Sequence, residues 1–412
     1  MKKVQLLYFI LIPFLLIAQD SIPSIKFEAL KTNYKDFIII DNEIYSITKG
    51  DSLVIWDIKT NTINGIKSNI NTIAKSHKNR LVATTTKGQV LEFINDNNWK
   101  QKDTFKGEAF STFITSKNKT LILSNRGIYL DKKLFYPKGR NRIYNSRHRS
   151  TDTITKYLRK PSLSYLDKEN RLWLTYDRGE FGQYTWFFDI NKKTFFEEEY
   201  LDINSHLTYK EEKKWNKEHD YKKAVIDTFP TKIKLIHNEL IYKFPAQIPI
   251  HNGVKGIAED KNGKIFISQS THHFFISGGI SIYSKTKFLD FYNSISIDYI
   301  LEHTEREIVR NNKKVTVKKL VEYLGPVTYN PYNDSMYYYS NKGFFKIIEK
   351  GKKFSKELIF KPILFWKGGL PHSVGSQMAV KKFEFIDEKR FVFLTNLNGL
   401  GYYNGHKIKY YR

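Results

Sequence analysis

An all-β architecture, a β-propeller of seven small sheets with long loops inserted on one face, is what this chain is expected to form. Three observations point there. A polar tight turn recurs seven times along the sequence. Each copy leads into an apolar strand, a second turn, and another apolar strand usually opened by Gly. The first copies follow one another at about 40 residues, the length of one propeller blade. Several short strands at regular spacing, punctuated by turn residues, mark an all-β fold rather than a helical one.

The turns centre on Asn42, Asn79, Asn118, Asn170, Asn262-Gly263, Asn333-Asp334 and Lys389. Asn, Asp and Gly recur because tight hairpin turns need positive φ or a side chain that bonds its own backbone. The strand that follows is clearest at Ile265-Phe266-Ile267. The Gly-opened strand is clearest at Gly88–Phe93, Gly127–Leu130, Gly343–Ile347 and Gly399–Tyr403. The first copy lacks that Gly and has Asp51 in its place. Aromatic residues make up 15% of the chain and concentrate in these strands, where they supply bulk for sheets packed face to face.

Seven blades is the expected count, with six or eight as the alternatives. The long stretch between Asn170 and Asn262 has room for an eighth, and Lys234–Tyr242 reads as a hairpin. It lies too close to the next turn for a full blade. A closed ring has no internal boundary, so residues 22–412 are read as a single β-propeller domain. Ile25–Leu30 is expected to meet the C-terminal strands at Tyr402–Tyr411 and close the ring, since both would otherwise be open edges.

Residues 1–18 have the form of a signal peptide. Lys2 and Lys3 precede an almost wholly apolar run from Val4 to Ala18, and Gln19-Asp20-Ser21 is polar again. The run is short for a membrane span, which takes about 20 apolar residues, and Pro13 interrupts it. No transmembrane segment is expected after cleavage. The chain contains no Cys, so disulfides and thiolate chemistry are excluded. The formal charge is +26, which favours anionic partners.

Four long insertions interrupt the repeat: Asp131–Lys160, Asn191–Phe229, Asp290–Leu320 and Lys350–Ala379. All fall between the last strand of one blade and the next blade. They are therefore expected to project from one face, where long loops on a rigid scaffold usually carry binding residues. Between Lys138 and Lys160 the first insertion holds eight Lys and Arg residues against Asp152 alone. Its arginines include Arg140, Arg142, Arg147, Arg149 and Arg159, whose planar forks suit carboxylate, sulfate or phosphate. A solvated basic loop is the competing reading. The fourth insertion offers Trp366 for stacking on a sugar, with His372 nearby.

No catalytic signature appears: there is no Gly-x-Ser-x-Gly, His-Glu-x-x-His or phosphate loop. His272-His273 lacks further ligands at metal-binding spacing and is expected to face away from the insertions, so no metal or cofactor is assigned. Nucleic acid is disfavoured as a partner because no reader motif is present.

The units resemble the two-component regulator propeller repeat of periplasmic sensor regions. Ile248-Pro249-Ile250-His251-Asn252-Gly253-Val254 leading into Asp260-Lys261-Asn262-Gly263-Lys264-Ile265-Phe266 carries the resemblance best. Gly369-Leu370-Pro371 and Arg171-Leu172-Trp173 repeat parts of it. In those sensors a membrane span and a kinase follow; this sequence ends at Arg412, just after the last repeat. The resemblance implies a ligand-binding propeller without the kinase part, exported to the periplasm or cell surface of a bacterium. It carries over no site residues, because the motif is structural. The expected function is non-catalytic binding of an anionic or glycan-like ligand or a cell-envelope protein. The alternative is a propeller-fold glycan hydrolase or lyase, which needs carboxylates or His in the central opening.

Overall fold

A computed structural model describes residues 34–95, 98–135, 158–177, 183–195, 253–272, 276–285, 292–310, 313–361, 380–396 and 399–411. The chain folds into seven four-stranded antiparallel sheets, each with its strands in sequence order. The blades run Tyr34–Ser68, Ile70–Thr104, Ala109–Phe135, Leu163–Phe195, Val254–Ser296, Leu324–Phe360 and Val380–Tyr411. The first strand of each blade packs beside the first strand of the next, and Val380–Phe385 of blade 7 returns to Tyr34–Ile40 of blade 1. Between blades 3 and 4 the contact includes a hydrogen bond of 3.0 Å between the Ser111 and Ser164 hydroxyls. The ring of seven is therefore closed, as the sequence led us to expect.

All seven sequence turns join the first and second strands of their blades. Their chemistry repeats. Asp260 Oδ1 accepts the Lys264 N–H at 2.8 Å, and Asp167 and Asp387 do the same for Arg171 and Arg390. Ser76 and Thr115 use hydroxyls for the same purpose. Three residues after the anchor the backbone enters the left-handed region, at Asn79 (φ 56°), Asn118 (φ 56°), Asn170 (φ 62°) and Gly263 (φ 80°). This is why Asn and Gly recur there. The side chains also tie blades together: Asn118 Oδ1 accepts His77 N–H at 3.2 Å, and Asn170 Oδ1 accepts Ser116 N–H at 3.0 Å. Asn170 Nδ2 also donates to Ser116 Oγ at 2.7 Å.

The Gly opening the third strand has an equally local cause. A Cβ on Gly88 would sit 2.3 Å from the Phe105 carbonyl oxygen, so only Gly fits between the third strand and the end of the fourth. In blade 1 Asp51 adopts the positive φ (58°) itself, which explains the missing Gly.

The fourth strands are what the sequence hid. Lys133–Phe135, Thr194–Phe195, Tyr292–Ser296 and Lys353–Phe360 are outer strands of blades 3 to 6. They lie inside what the sequence reading took as insertions. Outer strands such as Ile63–Ser68 and Asn98–Thr104 are largely exposed, so they need no apolar alternation and read as loop. The inserted chain begins only after them. Because the strands alternate in direction, every link from a fourth strand to the next blade leaves from the same face, shared with the turns between second and third strands. His272 ends the second strand of blade 5 at that face, so the expectation that it points away from the insertions is corrected.

Ring closure also differs in detail. Ile25–Leu30 lies outside the described residues, as do residues 1–18 and Lys234–Tyr242. Among the described residues, blade 7 draws all four strands from the C-terminal end. It meets blade 1 by packing: the rings of Trp56 and Tyr411 lie 5.3 Å apart. Both are buried in a cluster that includes Phe37, Val392 and Leu394. Every blade junction is filled this way, most densely by Phe344, Phe360, Phe383, Phe391 and Phe393 between blades 6 and 7.

Asn170→Ala should lower stability by about 2 kcal/mol, because it loses both bonds to Ser116 and leaves a poorer residue at positive φ. Asn170→Gly should lose about half as much, keeping the backbone freedom. Urea unfolding followed by tryptophan fluorescence measures both; equal losses would show that the inter-blade bonds alone matter.

Candidate anion site at the mouth of the central channel

Seven inner strands surround the central channel, and their N-terminal ends lie at the insertion face. In blades 1, 2, 3, 5, 6 and 7 the pairing of the inner strand slips near that end. The skipped residues include Lys35, Asn71, Phe110, Lys255 and Lys381. A β-bulge re-aims the side chain it carries, and bulges gather at barrel rims and beside binding sites. Here they surround the channel mouth, and several of them carry Lys.

Two of these lysines are held. Lys35 Nζ pairs with Asp51 and donates to Asn71 Oδ1 at 2.8 Å. Lys255 Nζ lies 5.7 Å from the Tyr323 ring centre. Lys381 is different. Burial of its ammonium, then the like charges of Lys49 and Lys160, push its pKa below the ordinary lysine value. Lys49 lies in the second-to-third turn of blade 1, and Lys160 lies just before the inner strand of blade 4. Blades 4 and 7 are three apart in the ring. Lys49, Lys160 and Lys381 are all exposed, and the first two lie near enough for their charges to act on the third.

Lys160 belongs to the end of the basic insertion singled out in the sequence. Leu158 anchors this end: it is buried and its N–H donates to Asn125 O at 2.6 Å. Arg159 and Lys160 are exposed beside it. Of the predicted binding residues, Arg159 is thus on the insertion face. Arg140, Arg142, Arg147, Arg149, Trp366 and His372 lie outside the described residues.

Below the mouth the channel wall is charged, which sequence reasoning missed. Lys382 Nζ bonds Asp36 Oδ1 at 2.9 Å and the Phe37 carbonyl at 2.5 Å, bridging blades 7 and 1. Burial works against the Lys382 charge, but Asp36 and Glu384 outweigh it and hold its pKa above the usual lysine value. Burial raises the Glu384 pKa, with Lys382, Lys75 and the Ile39 N–H acting the other way. Only the pattern Val380-Lys381-Lys382-Phe383-Glu384, polar residues inside an inner strand, could have signalled this.

No family model and no curated protein matches the chain. Solved structures similar to it include virginiamycin B lyase from Staphylococcus aureus, at 8% identity and TM-score 0.46, covering 90% of this chain and 95% of that one. YCF48 from Cyanidioschyzon merolae aligns at 9% identity and TM-score 0.45, covering 91% and 96%. The extracellular domain of the putative hybrid two-component system BT4673 from B. thetaiotaomicron aligns at 10% identity and TM-score 0.32, over 91% of this chain and 46% of that one. None of the three reaches a TM-score of 0.5, so the seven-bladed architecture stands on the strand pairing itself.

Replacing Lys49 by Gln should move the Lys381 titration upward, toward the ordinary lysine range, because one of its two like-charged neighbours is gone. Side-chain NMR of selectively labelled lysine follows this directly. An unchanged titration would mean that burial alone lowers Lys381.

Proposed function

We propose that this chain is an exported, non-catalytic propeller of the sensor type that binds an anionic ligand, of the acidic-glycan class, over the mouth of its central channel. What supports this reading is that Lys49, Lys160 and Lys381 are exposed at the insertion face, with Lys49 and Lys160 near enough to act on the Lys381 charge. Like charges brought together by a rigid ring repel one another, and an anion relieves that repulsion on binding. Arg159, exposed next to Lys160, supplies a further cation on the same face. Export to the periplasm or cell surface rests on the signal-like residues 1–18.

A second reading, glycan cleavage by a hydrolase or lyase, has one observation in its favour. Asp36 and Glu384 place carboxylates in the channel wall, and the raised pKa of Glu384 suits a proton donor. Both groups are already engaged, Asp36 by Lys382 and Glu384 by the Ile39 N–H. Binding without cleavage is therefore the better-supported reading.

The test uses the chain from residue 19 onward with dextran sulfate and neutral dextran as probes. Wild type should bind only the sulfated polymer, and less tightly as salt is raised. Replacing Lys49, Lys160 and Lys381 together by Gln should weaken binding about tenfold while leaving the unfolding midpoint in place. Unaltered affinity in that variant would defeat the channel-mouth assignment. New reducing ends after incubation, lost in Glu384→Gln, would favour the enzyme reading instead.

A further inference from the structure

Between blades 5 and 6 the chain builds a separate two-stranded ribbon, His303–Arg310 paired with Lys313–Leu320. Its base is firmly rooted. Val321 N–H donates to Glu302 O at 3.0 Å, and the buried Glu322 accepts the Glu302 N–H at 2.9 Å and pairs with Lys356. The ribbon joins no blade, so it is an arm with a fixed foot. Beside that foot lies a recess of about 460 Å³, lined by Asp298, Tyr299, Leu301, His303, Glu305 and Lys318. A cavity of this size suits a small molecule.

The polar groups of the recess are in position before any ligand arrives. Asp298 Oδ1 accepts the Ile280 N–H at 2.8 Å. Its carboxylate fills the space left by Gly279, where a Cβ would lie 2.0 Å from Oδ1. Among the described residues Asp298 Oδ2 has no hydrogen-bond partner. Tyr299 is 61% exposed, yet its hydroxyl accepts the Phe354 N–H at 2.9 Å. The ring is therefore anchored, and the hydroxyl proton is still available for donation. His303 Nδ1 lies 2.9 Å from Leu301 O. A carbonyl only accepts, so Nδ1 carries the proton and Nε2 of the neutral ring is left as an acceptor. Glu305 pairs with Lys318 at 3.8 Å. A long, exposed pair contributes little and yields readily to a ligand.

Two carboxylates against one lysine make the recess net negative in a chain of charge +26, so an anion does not suit it. Among the described residues no three ligating side chains come together for a metal ion. A simple cation would use the carboxylates but would face the Tyr299 and Lys318 donors. Hydroxyl groups both donate and accept, and so satisfy donors and acceptors that stand side by side. The anchored Tyr299 ring adds a flat apolar face. A pyranose has both matching parts, hydroxyls around its rim and C–H groups on its face. We propose that this recess is a second ligand site, for one neutral pyranose ring stacked on Tyr299 with its hydroxyls bonded to Asp298, Glu305 and His303. It shares no residue with the channel mouth, so either site can fail without the other.

The test uses the chain from residue 19 onward, with the methyl glycosides of glucose, galactose, mannose and N-acetylglucosamine as probes. Saturation-transfer NMR should show at least one of them bound, with the strongest transfer to C–H protons of one ring face. The signal should be indifferent to salt, as for any uncharged ligand. Asp298→Asn keeps an oxygen for the Ile280 N–H but turns the free acceptor into a donor, and should weaken binding about tenfold. Tyr299→Ala should abolish transfer; should its unfolding midpoint fall because the Phe354 bond is lost, the Asp298 variant decides. Replacing Lys49, Lys160 and Lys381 together by Gln should leave sugar binding unchanged. No transfer to any of the four probes overturns the proposal. So does affinity unaltered by Asp298→Asn, or loss of binding in the triple lysine variant, since both put the sugar elsewhere. Binding of tetramethylammonium in place of the sugars would make the recess a cation site and overturn it equally.

Discussion

A closed ring of sheets leaves one difficulty at its centre. The inner strand of every blade pairs on one side only, and its other edge faces the channel with backbone groups that still need partners. Here side chains from neighbouring blades take that role. Ser268 Oγ donates to Gly325 O at 2.6 Å, Thr328 Oγ1 to Phe383 O at 2.9 Å, and Asn71 Nδ2 to Ala109 O at 2.8 Å. At the closing junction Lys382 bonds Phe37 O, Glu384 takes the Ile39 N–H, and Lys75 reaches Ile39 O at 3.3 Å. Blade order and channel chemistry both follow from this requirement. The charged residues of the channel wall do at the junction of blades 7 and 1 what hydroxyls and amides do elsewhere.

The opposite face solves a related problem with turns. Seven hairpins crowd there, each with a bend that frees N–H groups. An anchoring carboxylate or hydroxyl satisfies them within a blade, and Asn118 and Asn170 satisfy those of the preceding blade. Asp167 takes this furthest. Buried, it accepts the Arg171 N–H at 2.8 Å, Arg171 Nε at 2.9 Å and Trp173 Nε1 at 2.9 Å. Removing one partner would leave a buried charge undersatisfied, which costs more than the bond itself contributes. Such a face is committed to structure.

On the insertion face the ring acts as a rigid frame for charge. Lysines scattered over more than 300 residues of chain are set near one another. The blades that carry them are held together by phenylalanine-rich junctions. Phe344 alone lies within 5.3 Å, ring centre to ring centre, of Phe360, Phe383, Phe391 and Phe393.

The sequence alone determined the class of fold and the position of every first hairpin. Those features are local: Asn170 or Gly263 adopts positive φ because of its own turn, and Gly88 is Gly because its own blade leaves no room for a Cβ. The basic insertion and its end at Arg159 and Lys160 were legible for the same reason, as a run of charge needs no partner to be recognised. Outer strands such as Ile63–Ser68 and Asn98–Thr104 were not legible, because largely exposed strands need no apolar alternation. Nor was the lysine cluster. Lys49, Lys160 and Lys381 have no relation in sequence, and only closing seven blades into a ring brings them near one another. The tertiary structure also separated the ribbon at His303–Leu320 from the ring, since its strands alternate like any others and only their failure to join a blade marks them as an arm.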